Sequence, residues 1–229
     1  MFLRRTGLHF ILYCLILCAP ILLSGQSRDN YLIEESFNNS IGFKVSYDYI
    51  NYDFKAFENS NRINFSSGLI YKRRLTSNLE FNIGILYSEK GYSQEIIFNA
   101  DSPIAISFTE YLISAAYLDI PLNIGYRYIV NRKLVIVPGG GFILSTLLSK
   151  SVSSEDIEVD AFLEEFLTSE IAGPLFALNV GIGIEWHFQE NYFLSFEPYF
   201  RNWFSNMNES VINSAPTSYG VGISFNKKF

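Results

Sequence analysis

From about Ile41 to the last residue, Phe229, large apolar side chains repeatedly alternate with small or polar ones, one residue at a time. That period belongs to strands with one apolar face, because successive side chains of a strand point to opposite sides. Eight segments carry it, at about 41–50, 62–72, 79–88, 116–128, 134–145, 176–187, 192–203 and 217–229. In the third, Leu79, Phe81, Ile83, Ile85 and Tyr87 oppose Glu80, Asn82, Gly84, Leu86 and Ser88; in the eighth, Tyr219, Val221, Ile223, Phe225 and Phe229 oppose Gly220, Gly222, Ser224, Asn226 and Lys228. The fifth is apolar on both faces from Leu134 to Val137 and is placed by position as much as by pattern.

The connections alternate in length. Tight ones at 73–78, 129–133 and 189–191 separate longer ones at 51–61, 89–115, 146–175 and 204–216. An even strand count with short turns at one end and long loops at the other is the pattern of a bacterial outer membrane barrel with periplasmic termini. A soluble β-sandwich would bury the same aromatics and solvate the charges, but it has no reason to sort its loops. Nor does it explain why one face holds Phe, Tyr, Trp, Ile and Leu while the other holds Gly, Ser and Asn. The predicted fold is therefore all-β, an eight-stranded antiparallel transmembrane barrel with short periplasmic turns and long extracellular loops.

The N-terminus fits export. Arg4 and Arg5 precede an apolar run from Leu8 to Leu23 that ends in Ser24-Gly25-Gln26, the layout of a secretory signal peptide. The run is close to the length of a membrane anchor, yet Pro20 and the small residues after it favour cleavage. Cys18 lacks the preceding small residues of a lipidation site. The expectation is a signal peptide over 1–25 and a barrel domain over 26–229. Both cysteines, Cys14 and Cys18, fall in the removed part, which excludes disulfides and thiolate metal sites from the mature protein.

Composition narrows the partners. The formal charge is −6, with no stripe of Lys and Arg to neutralise phosphates, so nucleic acid is excluded. The 21 Phe and 15 Tyr have a natural place on a lipid-facing wall and its aromatic rims. Expected surroundings are outer membrane lipid and lipopolysaccharide, the barrel assembly machinery, and an envelope or surface protein partner.

If the apolar faces meet lipid, Lys44, Asp48, Lys72, Glu80, Asp119, Arg127, Glu185, Glu197, Arg201 and Lys228 point into the lumen. Five are basic and five acidic. An eight-stranded barrel has room only for side chains, and buried charges must be paired, so a plugged lumen held by ion pairs and hydrogen bonds is expected.

The stretch Tyr117-Leu118-Asp119-Ile120-Pro121-Leu122 resembles a signature of the PorT-like outer membrane β-barrel proteins of Bacteroidota. The likeness continues through Pro138-Gly139 and Gly141, Gly181-Ile182-Gly183, and Leu194-Ser195-Phe196-Glu197 with Tyr199 and Arg201. It implies an eight-stranded barrel, usually without an assigned biochemical activity.

Chemistry has few carriers. His187 is the only histidine after signal removal, and the topology sets it at the periplasmic rim, away from the outer end where surface hydrolases work. No cofactor, metal or catalytic residue is assigned. The third long loop carries Glu155, Asp156, Glu158, Asp160, Glu164, Glu165 and Glu170 against Lys150. Val159, Phe162, Leu163, Phe166 and Leu167 recur there at helical spacing; the segment is either a short amphipathic helix or a solvated acidic loop. Phe162, Phe166, Glu164 and Glu165 are the recognition candidates, and Phe229 is the candidate assembly signal. The expected function is a non-enzymatic barrel with a closed lumen and a structural or partner-binding role. The alternatives are a minor channel for small solutes and an outer membrane lipid hydrolase.

Overall fold

A computed structural model describes residues 38–54, 61–97, 108–154, 165, 168, 171, 173–205 and 212–229. Eight long strands form its one sheet: β1 (Asn39–Phe54), β2 (Asn61–Arg74), β3 (Leu79–Ile97), β4 (Phe108–Tyr126), β5 (Leu134–Ser154), β6 (Leu175–His187), β7 (Tyr192–Trp203) and β8 (Ile212–Lys228). A two-residue stretch, Tyr128–Ile129, continues β4 past Arg127. Each strand pairs antiparallel with its chain neighbours, and β1 closes on β8. Closure leaves no sheet edge in the lipid, where an unpaired backbone group has no water to bond.

The register fixes the shape. Followed across hydrogen-bonded partners, Ser40 leads to Lys72, Asn82, Asn123, Gly141, Asn179, Arg201 and Ser218, and returns to β1 at Ile50. The circuit climbs ten residues. With about 3.3 Å rise per residue and about 4.8 Å between strands, that stagger tilts eight strands by roughly 40°. Because ten is even, the path rejoins β1 on the face it left, so every strand keeps one face in the lumen.

The two faces are inverted relative to a soluble protein. Phe43, Tyr47, Ile85, Trp186, Ile223 and Phe225 are exposed on the outer wall, while Lys44, Asp48, Glu80, Asp119, Glu185 and Arg201 are buried. The eight predicted strands are all present. At the extracellular end β1 and β8 run somewhat further than the alternation suggests, and three strands run much further: β3 continues to Ile97, β4 begins at Phe108, and β5 continues to Ser154. Beyond Tyr87 and Leu118 most of their outward positions are small or polar, Glu89, Gly91, Ser93, Ser114, Ser149, Ser151 and Ser153, with Leu112, Ala116 and the exposed Leu148 as apolar exceptions. With no lipid to face, a strand outside the bilayer loses the apolar signal that marked it. Much of the stretch expected as a loop over 89–115 is thus a protruding β3–β4 hairpin, paired as far as Ile97 with Phe108.

The three short turns, at 75–78, 130–133 and 188–191, gather at the end that also holds both ends of the described chain. There the Phe229 amide donates to the Asn39 carbonyl at 3.0 Å and the Lys228 amide to the Asn191 carbonyl at 2.7 Å.

Candidate functional site: a lumen sealed in tiers

At the periplasmic mouth four charges share one cluster. Lys72 Nζ donates to Glu185 Oε1 at 2.7 Å and lies 3.8 Å from Glu80 Oε1. Arg127 Nη1 bridges Glu80 Oε2 at 2.8 Å and Glu185 Oε2 at 3.2 Å. Two cations against two carboxylates leave no net charge, which is what lets all four sit away from bulk water. Lys228 stands at the same mouth with its Nζ 6.0 Å from the centre of the Phe193 ring and forms no ion pair among the described residues.

The middle tier is crossed by longer bonds. Lys44 Nζ on β1 reaches Glu197 Oε2 on β7 at 2.7 Å. Asp48 accepts from Arg201 Nη1 at 2.5 Å and from the Tyr199 hydroxyl. An amide ladder lines the wall beside them: Asn123 Nδ2 donates to Asn82 Oδ1 at 3.0 Å, Asn179 Nδ2 to Asn123 Oδ1 at 3.3 Å, and Arg201 Nε to Asn179 Oδ1 at 3.4 Å. Asn123 and Asn179 lie on β4 and β6, and Gly141 of β5 sits between them. A Cβ at Gly141 would run into the Leu122 carbonyl oxygen and stand 2.6 Å from Asn123 Cα and 2.8 Å from Asn123 Oδ1, so close approach of β4 requires the glycine, which also leaves the opening through which the two amides meet.

Above this, Lys90 Nζ binds both oxygens of Asp119, at 2.8 and 2.9 Å, and the Ser88 hydroxyl at 2.7 Å. Its charge also lies 4.8 Å from the centre of the Tyr117 ring and 5.2 Å from that of Trp203, where the negative ring faces attract it. The outer lumen is then apolar. Ile50, Tyr52, Tyr92, Ile113, Tyr117, Ile143, Ile171, Leu175 and Trp203 form one buried cluster. Between the mouth and middle tiers remains a cavity of about 30 Å³ lined by Lys72, Glu80, Asn82, Asn123, Ser195 and Glu197 among others. That is room for a water or two.

Of the ten lumen residues named from sequence, nine are drawn into ion pairs: Lys44 with Glu197, Asp48 with Arg201, Lys72 and Arg127 with Glu80 and Glu185, and Asp119 with Lys90. Lys90 escaped the sequence reading because it lies past Ser88, where strand three was expected to end. Its place two residues beyond Ser88 on the lumen face was the available signal. Tyr199 of the middle tier and the aromatic plug escaped too, since Tyr199, Tyr117 and Trp203 share the lumen parity of their strands but look like wall or rim residues by type.

His187, at the periplasmic rim as expected, faces inward on the side of Glu185. It is buried, stacked on Phe193 with ring centres 4.8 Å apart, and its Nε2 lies 3.5 Å from Glu185 Oε2. Among the described residues no hydroxyl is within hydrogen-bond distance of either ring nitrogen. Among the described residues no group of acidic, His or Cys side chains could hold a metal ion. Of the loop candidates, Glu165 is helical and exposed, whereas Phe162, Glu164 and Phe166 lie outside the described residues. Thr168, also helical, is buried, and its carbonyl accepts from Lys150 Nζ at 2.8 Å.

A closed eight-stranded wall, apolar outward and ionic inward, is the architecture of the outer membrane, and residues 26–210 match a family described as outer membrane protein beta-barrel domain. The chain belongs to that family. Among solved structures this family member is similar to Neisserial surface protein A at 14% identity and a TM-score of 0.46, covering 83% of this chain and 97% of that one. It is also similar to OprG from Pseudomonas aeruginosa at 9% identity and 0.44, covering 84% and 97%, and to outer membrane protein W of E. coli at 10% and 0.41, covering 85% and 100%. No curated protein matches it. It is an outer membrane barrel with its turns and described termini at the periplasmic end.

Proposed function

We propose that this barrel is non-enzymatic and non-conducting, and that it serves as a rigid stalk presenting its extracellular segments to an envelope or surface protein partner. The observation that carries the reading is the lumen: ion pairs at the mouth, an amide and ionic tier in the middle, and an aromatic plug at the outer end. A solute path would have to break all three. The protruding β3–β4 hairpin and the acidic segment after β5 are then the parts left to make contacts, with Phe162, Glu164, Glu165 and Phe166 as the recognition candidates. The finer likeness to PorT-like barrels of Bacteroidota belongs to this proposal, supported by the Asp119-Ile120-Pro121-Leu122 stretch on β4, where Asp119 anchors Lys90. So do removal of residues 1–25 on export, recognition of Phe229 by the barrel assembly machinery, and a setting among lipopolysaccharide and phospholipid.

Crosslinking in intact cells, followed by pull-down, tests the presenting role. Deleting 155–167 leaves every described strand intact and is expected to remove a surface or envelope protein from the crosslinked set. An unchanged set would remove this segment as the recognition element. A minor channel is the second reading, favoured by two water-sized cavities in the periplasmic half, the second lined by Ser40, Lys72, Arg127 and Lys228 at the mouth.

A further inference from the structure

From Tyr219 to Phe229 the outward positions of β8 are Tyr219, Val221, Ile223, Phe225, Lys227 and Phe229. Lys227 alone is not apolar, and it is exposed. A lysine on the lipid face is costly at the bilayer centre and close to neutral at the interface, where its long stem lies along apolar surface while the charge reaches the headgroups. Its neighbours in register are Tyr192 on β7 and Ile41 on β1, and Ile41 in turn faces Tyr71 on β2. Tyr192 stacks on Phe225 with ring centres 5.6 Å apart, and the Tyr71 hydroxyl donates to Asn39 Oδ1 at 2.7 Å. Two residues beyond Tyr71, Arg73 is outward and exposed beside Asn39. Two cations thus flank the start of β1 on the outer wall at the periplasmic end, each next to aromatic rings. Neither meets an acid at ion-pair distance among the described residues.

The surrounding rim has the same sign. Arg132 and Lys133 are exposed in the turn at 130–133, and Glu190 is the one exposed acidic side chain in the three turns. At the other end the segment from Thr146 to Pro174 has seven acidic residues against Lys150.

We propose that Lys227 and Arg73 bind the phosphate headgroup of an anionic phospholipid of the inner leaflet, its acyl chains lying along Ile41, Phe43 and Phe225. This gives Lys227 a role that the apolar alternation of its strand does not. The site does not depend on what the extracellular loops contact.

Brominated lipids test it. The full barrel, carrying Tyr192→Trp and Trp186→Phe, has a fluorescent reporter beside Lys227; Trp203, buried in the lumen, is shielded from lipid. Quenching is compared in mixed vesicles of phosphatidylglycerol and phosphatidylcholine at equal mole fractions, with the bromine carried by one lipid or by the other, at 0.1 M salt. A preference for the anionic lipid of at least about fivefold is expected, that being the contribution of a single cation near the surface, and it should shrink at 0.5 M salt. Lys227→Gln with Arg73→Gln should bring the ratio close to one, and Lys227→Arg with Arg73→Lys should keep it. Equal quenching by the two lipids in the reporter protein overturns the proposal. So does a preference that survives the double glutamine variant. If that variant does not insert, judged by its heat-modifiable gel shift, the reporter protein's own ratio and its salt dependence decide.

Discussion

Lys44 and Glu197, 153 residues apart in the chain, meet at 2.7 Å in the middle of the lumen. Removing one partner of such a pair strands the other charge in a space without bulk water, at a cost of about 3 kcal/mol, whereas replacing both with apolar groups is often nearly neutral. Lys44→Met and Glu197→Met should each lower the midpoint of urea unfolding, followed by gel shift in lipid vesicles. The double variant should recover most of the loss. Additive losses would show that the two side chains do not act as a pair.

Gly222 stands behind the same pair. A Cβ there would lie 2.6 Å from Lys44 Cε and 3.2 Å from its Nζ. Gly222→Ala has only to push the flexible end of Lys44 away from Glu197, so it should destabilise the barrel by about 1 kcal/mol, the low end for an overpacked site. In a Lys44→Ala background, with the long stem gone, most of that cost should vanish. The same unfolding assay reads both.

Trp203 closes the outer tier together with Tyr117, Tyr52 and Tyr92. Trp203→Ala should lower stability by about 3–5 kcal/mol, the usual result of emptying a packed aromatic site. Its conductance in a planar bilayer should stay at the background of the unaltered barrel, because the ionic tiers beneath remain. A new steady current from this one change would show that the plug alone seals the lumen.

Phe229 is exposed on the outer wall, with its amide bonded to Asn39. Phe229→Ala deletes a rim side chain that makes no contact in the lumen, so the urea midpoint should move only slightly, by the roughly 1 kcal/mol that a half-covered apolar side chain contributes. The amount inserted in cells should fall several-fold, read as the heat-modifiable fraction of the membrane pellet. A parallel loss of unfolding midpoint would make the residue a stability element and not an assembly signal.

The fold was legible because lipid imposes a period of two on eight segments, and the lumen charges were legible as its complement. Which cation meets which acid was not, since Lys44 and Glu197 are joined only through the register and closure of the whole barrel. The protruding part of β3 was hidden for a different reason: from Glu89 onward its outward positions, Glu89, Gly91 and Ser93, carry no large apolar side chain, and the alternation fades. Trp203 and Tyr117 were hidden by type. An aromatic on a barrel strand is expected at the lipid rim, and only its parity with Arg201 or Asp119 tells that it points inward.

Single-channel recording in planar bilayers tests the sealed lumen most directly. Purified, fully heat-modifiable protein should give no steady current at any applied voltage that the bilayer itself withstands. A stable ohmic conductance that scales with the amount of inserted protein would contradict the account and restore the channel reading.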